Sequence, residues 1–378
     1  MRWAKKWRSV GDPSYHSVVS EPVPKILFVN TYTKTGIGDF GLQSLEYLQR
    51  HETVTVMTTV PDGKQLLSGL LRILRWPGPL IANVGLTTWG RRGIANFLGF
   101  ATMGIRAAIG RPIIVMLHNV IEIIVPEDSG YEINGLTKFG AHLAVRLLRG
   151  AKIVVFSEQV LRILERDYGL RVQRCTPLPC TSSGLSSNPE DIVPSSEPIA
   201  VTVGYLAPYK GLPVFVGARK FVDSSVKMTV VGGLHRLLES KPQFSQFATD
   251  AFAIMRGRGI DYRGYLPEIQ LKSLLQGHVV GVLSYTSLSG ASAAFSLFAS
   301  SGVPVVATDL SEFKYLKELG AGIVLVSASP QQVGDAINNL FLDGDAWLSA
   351  SRSQRAFASK YSWTEFTDWL LALVKDYS

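Results

Sequence analysis

Short apolar runs recur along the chain, each closed by glycine, proline, asparagine or serine and followed by a longer segment of helical character. In the first half they fall at 26–30, 53–58, 80–84, 113–117 and 152–156. Continuous apolarity over so few residues predicts strands buried on both faces, and strands alternating with helices predict a parallel sheet. The run from Ile26 to Asn30 leads into a loop over 31–38 and a helix over 39–49 that Asp39 is placed to cap. The second half repeats the scheme, with strands at 200–203, 279–284 and 303–307 and a helix over 290–301.

Between the halves, residues 180–198 (CTSSGLSSNPEDIVPSSEP) replace apolar periodicity with serine, proline, glycine and asparagine, which marks a boundary. A chain of 378 residues is long for one core, since domains typically hold ~100–200 residues. The expected organisation is a basic extension over 1–23, one doubly wound α/β domain over 24–185 and a second over 198–361. A last helix over 362–378 is expected to pack back toward the first domain.

In a parallel sheet ligands sit beyond the carboxyl ends of the strands. At one such end stands VTVGYLAPYKGLPVFVGARKF (201–221), where Gly204 closes a strand, Lys210 and Gly211 follow, and Pro213 sits where a helix can begin. Unpaired amides and the positive dipole end of a helix, with a lysine beside them, suit phosphate; a solvated surface lysine is the plain alternative. Residues 279–316 (VVGVLSYTSLSGASAAFSLFASSGVPVVATDLSEFKYL) repeat the strand, small-residue turn and helix. Here Ser289 is placed as N-cap, and Gly290, Ala291 and Ser292 leave the first amides open, or else merely let helix and strand pack closely.

The first half offers a parallel set. Gly36 and Gly38 lie in the loop after the first strand, where backbone can approach a ligand, although a GxG pair also serves simple turns. His118 and Asn119 end the strand of PIIVMLHN, and a histidine there can donate to a hydroxyl or phosphate or be a satisfied structural residue. Glu122, Glu127 and Asp128 follow, either positioning an acceptor hydroxyl or forming a solvated acidic loop. Lys34 is a second candidate for the diphosphate.

GYLAPYKG, SLSGASAAF, SSGVPVVATDLSEF and YSWTEFTDWL, in that order, resemble the C-terminal domain of the glycosyl transferases group 1, retaining enzymes of GT-B fold that use nucleotide-sugar donors. KILFVNTYTKTGIGDF resembles the first strand and glycine loop of the same family's acceptor domain. The resemblance implies two Rossmann-like domains facing each other across a cleft, and transfer of a hexose. It puts Gly36, Gly38, Gly204, Tyr205, Lys210, Gly211, Ser289, Gly290, Ala291 and Ser292 at the donor. It makes His118 and Lys210 the catalytic candidates, with Asn119, Glu122 and Lys34 toward the acceptor. The family usually carries arginine where Tyr205 stands and two glutamates where Ser289 and Leu297 stand. Some members have a Ser-Gly turn there instead, so these departures touch the sugar and ribose contacts without excluding activity.

A net charge of +8 adds a further expectation. Lys5, Lys6, Arg8, Arg72, Arg75, Arg91, Arg92, Arg106 and Arg111 are interleaved with Trp3, Trp7, Trp76 and Trp89, a mixture that suits an anionic membrane surface. GIANFLGFATMGI (93–105) is uncharged but short of the ~18 residues a span needs, so it reads either as contact with one membrane face or as a core helix. No nucleic-acid recognition motif accompanies the charge. The N-terminus is basic without an apolar core to follow, which reads as no secretory signal and a cytoplasmic protein, peripheral on the membrane. Cys175 and Cys180 are too few for a disulfide framework or zinc site. Because Lys210, helix amides and Lys34 would meet the charge of the leaving diphosphate, neither metal nor cofactor is expected beyond the nucleotide-sugar co-substrate, and the acceptor is expected to be a glycan or a lipid-linked sugar. A non-catalytic GT-B binding subunit is the second reading; an oxidoreductase is disfavoured by the missing G-x-G-x-x-G with its acidic ribose ligand.

Overall fold

A computed structural model describes residues 26–31, 36–59, 63–86, 88, 93–124, 134–181, 197–234, 242–288 and 290–377. The basic extension, Lys34, Trp89, Arg91, Arg92, Glu127, Asp128, Ser289 and most of the 180–198 linker lie outside the described residues. The chain builds two parallel six-stranded sheets among them, each flanked by helices.

The first sheet contains β1 (Ile26–Asn30), β2 (Val54–Thr58), β3 (Leu80–Val84), β4 (Ile113–Leu117), β5 (Lys152–Val155) and β6 (Val172–Cys175), in the order β2-β1-β3-β4-β5-β6. Its helices are α1 (Gly36–Leu48), α2 (Gly63–Arg75), α3 (Gly93–Ala108), α4 (Gly135–Arg146) and α5 (Glu158–Tyr168). Because side chains alternate across a strand, the buried runs serve two cores at once. Leu27, Val29, Leu80, Ala82, Ile113 and Val115 meet Leu70, Phe100, Met103, Val145 and Leu164 on one face. Ile26, Phe28, Ile81, Ile114 and Val154 meet Phe40, Leu45 and Leu48 on the other.

The second sheet contains β7 (Ile199–Val203), β8 (Lys227–Val231), β9 (Asp261–Tyr262), β10 (Val279–Leu283), β11 (Val305–Thr308) and β12 (Ile323–Val326), ordered β12-β11-β10-β7-β8-β9. Around it lie α6 (Leu212–Ala218), α7 (Pro242–Gly257), α8 (Glu268–Leu274), α9 (Ala293–Ser300), α10 (Ser311–Glu318), α11 (Pro330–Leu342) and α12 (Gly344–Lys360).

The last helix, α13 (Trp363–Lys375), is not part of this second domain's core. Its Trp363, Phe366, Leu370 and Leu371 bury themselves with Phe28, Phe40 and Phe156 of the first. The chain therefore crosses between domains twice. The crossings are tied together: Cys180 N donates to Tyr361 O at 2.8 Å and Trp363 N to Cys180 O at 3.0 Å.

Three local expectations are corrected. Helix α1 starts at Gly36, so Gly36 and Gly38 belong to its first turn, and Asp39 complements the dipole from inside the helix instead of capping it. Helix α9 starts at Ala293, capped by Ser292 through a bond from Phe295 N; Gly290, at φ +103°, is turned in the left-handed region and cannot be helical. Strand β11 begins two residues late, at Val305, because Pro304 has no N–H to give the ladder.

Candidate active site at two facing switch points

Each sheet order reverses once. In the first sheet the chain leaves β1 toward β2 and returns on the other side as β3; in the second it leaves β7 toward β8 and returns as β10. Such reversals open the crevice in which doubly wound sheets bind ligands. A side-chain contact spans each one.

In the second domain the contact is Lys210 with Tyr285. Lys210 ends a single 3-10 turn (Pro208–Lys210) after β7, and Tyr285 follows β10. Lys210 Nζ donates to the Tyr285 hydroxyl at 2.5 Å and lies 4.2 Å from the centre of the same ring. Since an ammonium only donates, the phenol oxygen accepts from it, and the phenol shares a second bond with Ser292 Oγ at 3.3 Å in which either hydroxyl can donate. Ser292 also accepts from Phe295 N, so its hydroxyl proton is left to donate. Burial holds the Lys210 ammonium below the ordinary lysine range, with Tyr209 offsetting part of the effect, and no carboxylate among the described residues pairs with it. Burial also raises the Tyr285 phenol, keeping it protonated. Gly204 (φ +124°) and Tyr205, 42 % exposed, line the same small cavity, and Gly211 (φ +64°) caps α6.

The first domain's contact is Asn30 with Asn83. Asn83 Nδ2 donates to Asn30 Oδ1 at 2.8 Å and to Ile37 O at 2.7 Å, using both amide hydrogens. Its Oδ1, 2.6 Å from His118 Nε2, must therefore accept, which places the imidazole proton on Nε2 and leaves Nδ1 as an acceptor, so the expected donation from His118 to a substrate is corrected to acceptance. The His118 ring stacks on Phe156 at 4.7 Å and meets Phe40 edge-on at 4.8 Å. Burial pulls its pKa down to about 3, so the ring is neutral. Helix α1 closes over this polar ladder through Gly41, where an added Cβ would stand 2.1 Å from Asn30 Oδ1, a space that only glycine leaves open.

The two sites meet at Gly290. A Cβ there would lie 3.0 Å from His118 O, and Ala291 packs against the aromatic cluster formed by the first domain with α13. The small residues before α9 thus face the histidine.

Other candidates are placed elsewhere. Asn119 Oδ1 accepts from Leu86 N at 3.0 Å and braces the loop after β3. Glu122 accepts from the Tyr168 hydroxyl at 2.5 Å and lies 3.3 Å from His142 Nδ1, joining α4 to α5. Leu297, at the position of a family glutamate, packs into the core of the second domain. Sequence reasoning missed Tyr285, Asn30 and Asn83. All three follow or end strands at a switch point, the same signal that singled out His118. Trp76 and Arg106 belong to the helical layer of the first domain, where Arg106 is buried.

No family model and no curated protein matches the chain. Solved structures do. HepE of Anabaena, in complex with UDP, superposes with a TM-score of 0.69 at 16 % identity over 93 % of this chain and 100 % of its own. The fold is GT-B. Sucrose-phosphate synthase of Thermosynechococcus elongatus gives 0.67 at 13 % identity over 93 % and 98 % of the two chains. WaaG, a glycosyltransferase involved in lipopolysaccharide biosynthesis, gives 0.60 at 11 % over 92 % and 99 %. At these identities the likeness establishes a GT-B architecture, to which the expected two Rossmann-like domains correspond.

Proposed function

We propose that the chain is a nucleotide-sugar-dependent hexosyltransferase, with the donor held against Lys210, Ser292 and Gly290 and the acceptor approaching from the His118 side. The observation that carries this reading is the cation at the second domain's switch point, held by a phenol and two aromatic rings and not by a carboxylate, which suits a leaving diphosphate. HepE, of like fold, is seen with UDP and with UDP-glucose, which favours a uridine nucleotide here. In the reaction the bond between the anomeric carbon and the diphosphate oxygen breaks, an acceptor hydroxyl oxygen takes that carbon, and its proton leaves with the nucleotide product or to solvent. Lys210 meets the charge that develops on the diphosphate. Neutral His118, its Nε2 proton held by Asn83, offers Nδ1 to a sugar hydroxyl.

Retention is carried over from the family resemblance. We further propose that no metal or cofactor is needed, because Lys210 and the backbone amides before α9 answer the diphosphate charge. A lipid-linked acceptor follows from the basic and apolar character of the first domain, as does a peripheral place at the inner membrane face. Among the described residues no helix is long and apolar enough to cross a membrane.

The deciding experiment is mass spectrometry after incubation with a panel of nucleotide sugars, with and without EDTA. Released nucleotide together with a glycosylated acceptor supports the proposal. Tight nucleotide binding with neither hydrolysis nor transfer supports the second reading, a binding subunit, which Leu297 in place of an acidic ribose contact favours.

A further inference from the structure

The helical layer α2-α3-α4 covers one face of the first sheet, with α3 packed between the other two. Its outer surface carries an unusual number of exposed apolar side chains. On α3 and just past its end the exposed residues are Ile94 (77 %), Leu98, Ile105 and Ile109; on α4 and its cap they are Leu136 (80 %), Phe139 (67 %), Leu143 and Leu147. The spacings i, i+4, i+11, i+15 and i, i+3, i+7, i+11 put each set on one side of its helix. Leu67 and Leu71 extend the surface onto α2.

Charge on this layer has one sign. No aspartate or glutamate occurs from Gly63 to Ile121, nor from Ile133 to Ser157, so α2, α3 and α4 carry none. Lys64, Arg72, Arg75, Lys138, Arg146 and Arg149 are exposed on or beside these helices. The layer is also internally braced. Arg106 is fully buried and donates to Ile73 O at 2.7 Å, Trp76 O at 2.8 Å and Pro112 O at 3.1 Å, while Arg111 reaches Leu74 O at 2.6 Å. These bonds brace α3 against the end of α2. Exposed apolar side chains interspersed with lysine and arginine fit the interfacial zone of a bilayer, where the aliphatic tips enter and the cations meet lipid phosphate. A second copy of the chain fits poorly, because the same face turned on itself would oppose like charges with no carboxylate between them.

We infer that the α2-α3-α4 layer docks the protein on an anionic membrane surface. Each helix follows a strand, so its first turn stands at the carboxyl edge of the sheet, the edge that carries His118. Ile94, Leu136 and Phe139 lie in the first two turns of α3 and α4. Docking there brings the lipid headgroup plane beside the mouth of the cleft. That purpose rests on the lipid-linked acceptor proposed above; the docking does not.

The test is co-sedimentation of the full chain with vesicles of phosphatidylglycerol and phosphatidylcholine, against phosphatidylcholine alone, at low and high salt. Wild type is expected to bind the anionic vesicles and to be released by salt. Leu136→Glu with Phe139→Glu should weaken binding about tenfold or more, and Arg72→Glu with Arg75→Glu should do so with loss of salt dependence. All four positions are exposed, so unfolding midpoints should stay those of wild type. Absent binding by wild type, or equal binding by both variants, overturns the inference, the latter moving the contact to another part of the chain. Concentration-dependent dimers abolished by the same substitutions overturn it in favour of self-association. Vesicle binding without transfer to any lipid-linked sugar leaves the docking standing and removes the acceptor proposal.

Discussion

Lys210 donates to the Tyr285 hydroxyl across the point where the second sheet reverses, joining residues 75 positions apart. The bond aims a cation into the crevice and leaves it without a carboxylate. Such an arrangement costs stability, since a half-buried ammonium is poorly solvated.

Replacement of Lys210 by methionine is therefore expected to separate function from stability. Affinity for a nucleoside diphosphate should fall ten- to a hundredfold, the loss of about 1.5–3 kcal/mol for a charge-assisted contact, while the unfolding midpoint stays level or rises. Tyr285→Phe should have the smaller effect, because the cation keeps its charge and loses only its orientation. Calorimetric titration with UDP and a melting curve decide it. Equal nucleotide affinity in Lys210→Met would take the residue out of the site.

His118 makes a different prediction, since its imidazole is neutral and its tautomer is set by Asn83. Across pH 5–9 the rate should show no ionisation belonging to this ring, whose pKa burial holds at about 3. Nitrogen-15 spectra should show the proton on Nε2, and Asn83→Ala should mix the tautomers. His118→Ala should lower turnover about ten- to a hundredfold with nucleotide affinity nearly unchanged. A kinetic pKa near 6.5 that vanishes in the variant would contradict the neutral assignment.

The architecture was readable from periodicity because buried parallel strands are continuous apolar runs, and Ile26 to Asn30 or Ile113 to Leu117 can hardly be anything else. Edge elements were not: β9 is two residues long, and β6, with exposed Gln173, lacks the apolar run. Within the site, Lys210 and His118 declared themselves by charge and by position after a strand. Tyr285, Asn30 and Asn83 share the strand-end position but carry no charge, and their contacts are pairings between strands distant in sequence. The N-cap at Ser292 was hidden by Ser289, a chemically equal cap three residues earlier; the left-handed turn at Gly290 decides between them.

Gly290 should tolerate no side chain. Its φ of +103° disfavours any L-residue, and a Cβ would press on His118 O at 3.0 Å. Gly290→Ala is expected to cost about 1–2 kcal/mol and to shift the loop off the His118 carbonyl. Turnover should fall more than nucleotide affinity, and the unfolding midpoint should drop with it. Wild-type turnover would mean that the loop does not close on the histidine.

Glu312 carries the final prediction. It stands in the first turn of α10 in the second domain, 3 % exposed, against Ser157 and the start of α5 in the first. Neither carboxylate oxygen reaches hydrogen-bond geometry with a partner. Burial pushes its pKa up to about 7, and Glu158 adds to the rise, while the nearby Ser157 hydroxyl and Glu158 amide offset part of it. A carboxyl raised in this way binds its proton more tightly folded than unfolded. Its contribution to stability is thus full below pH about 4.5 and is lost as pH rises toward 7, by as much as ~3 kcal/mol. The strain falls on the contact between the two domains, where Tyr315 of the same helix also touches Cys175 at 3.7 Å. Glu312→Gln keeps the shape and removes the ionisation. Thermal unfolding of wild type and variant at pH 5 and pH 8 should show the variant gaining at pH 8 and matching wild type at pH 5. A variant that loses stability at pH 8 would show that the ionised carboxylate is held favourably by the end of α5, and the sign of the effect would be reversed.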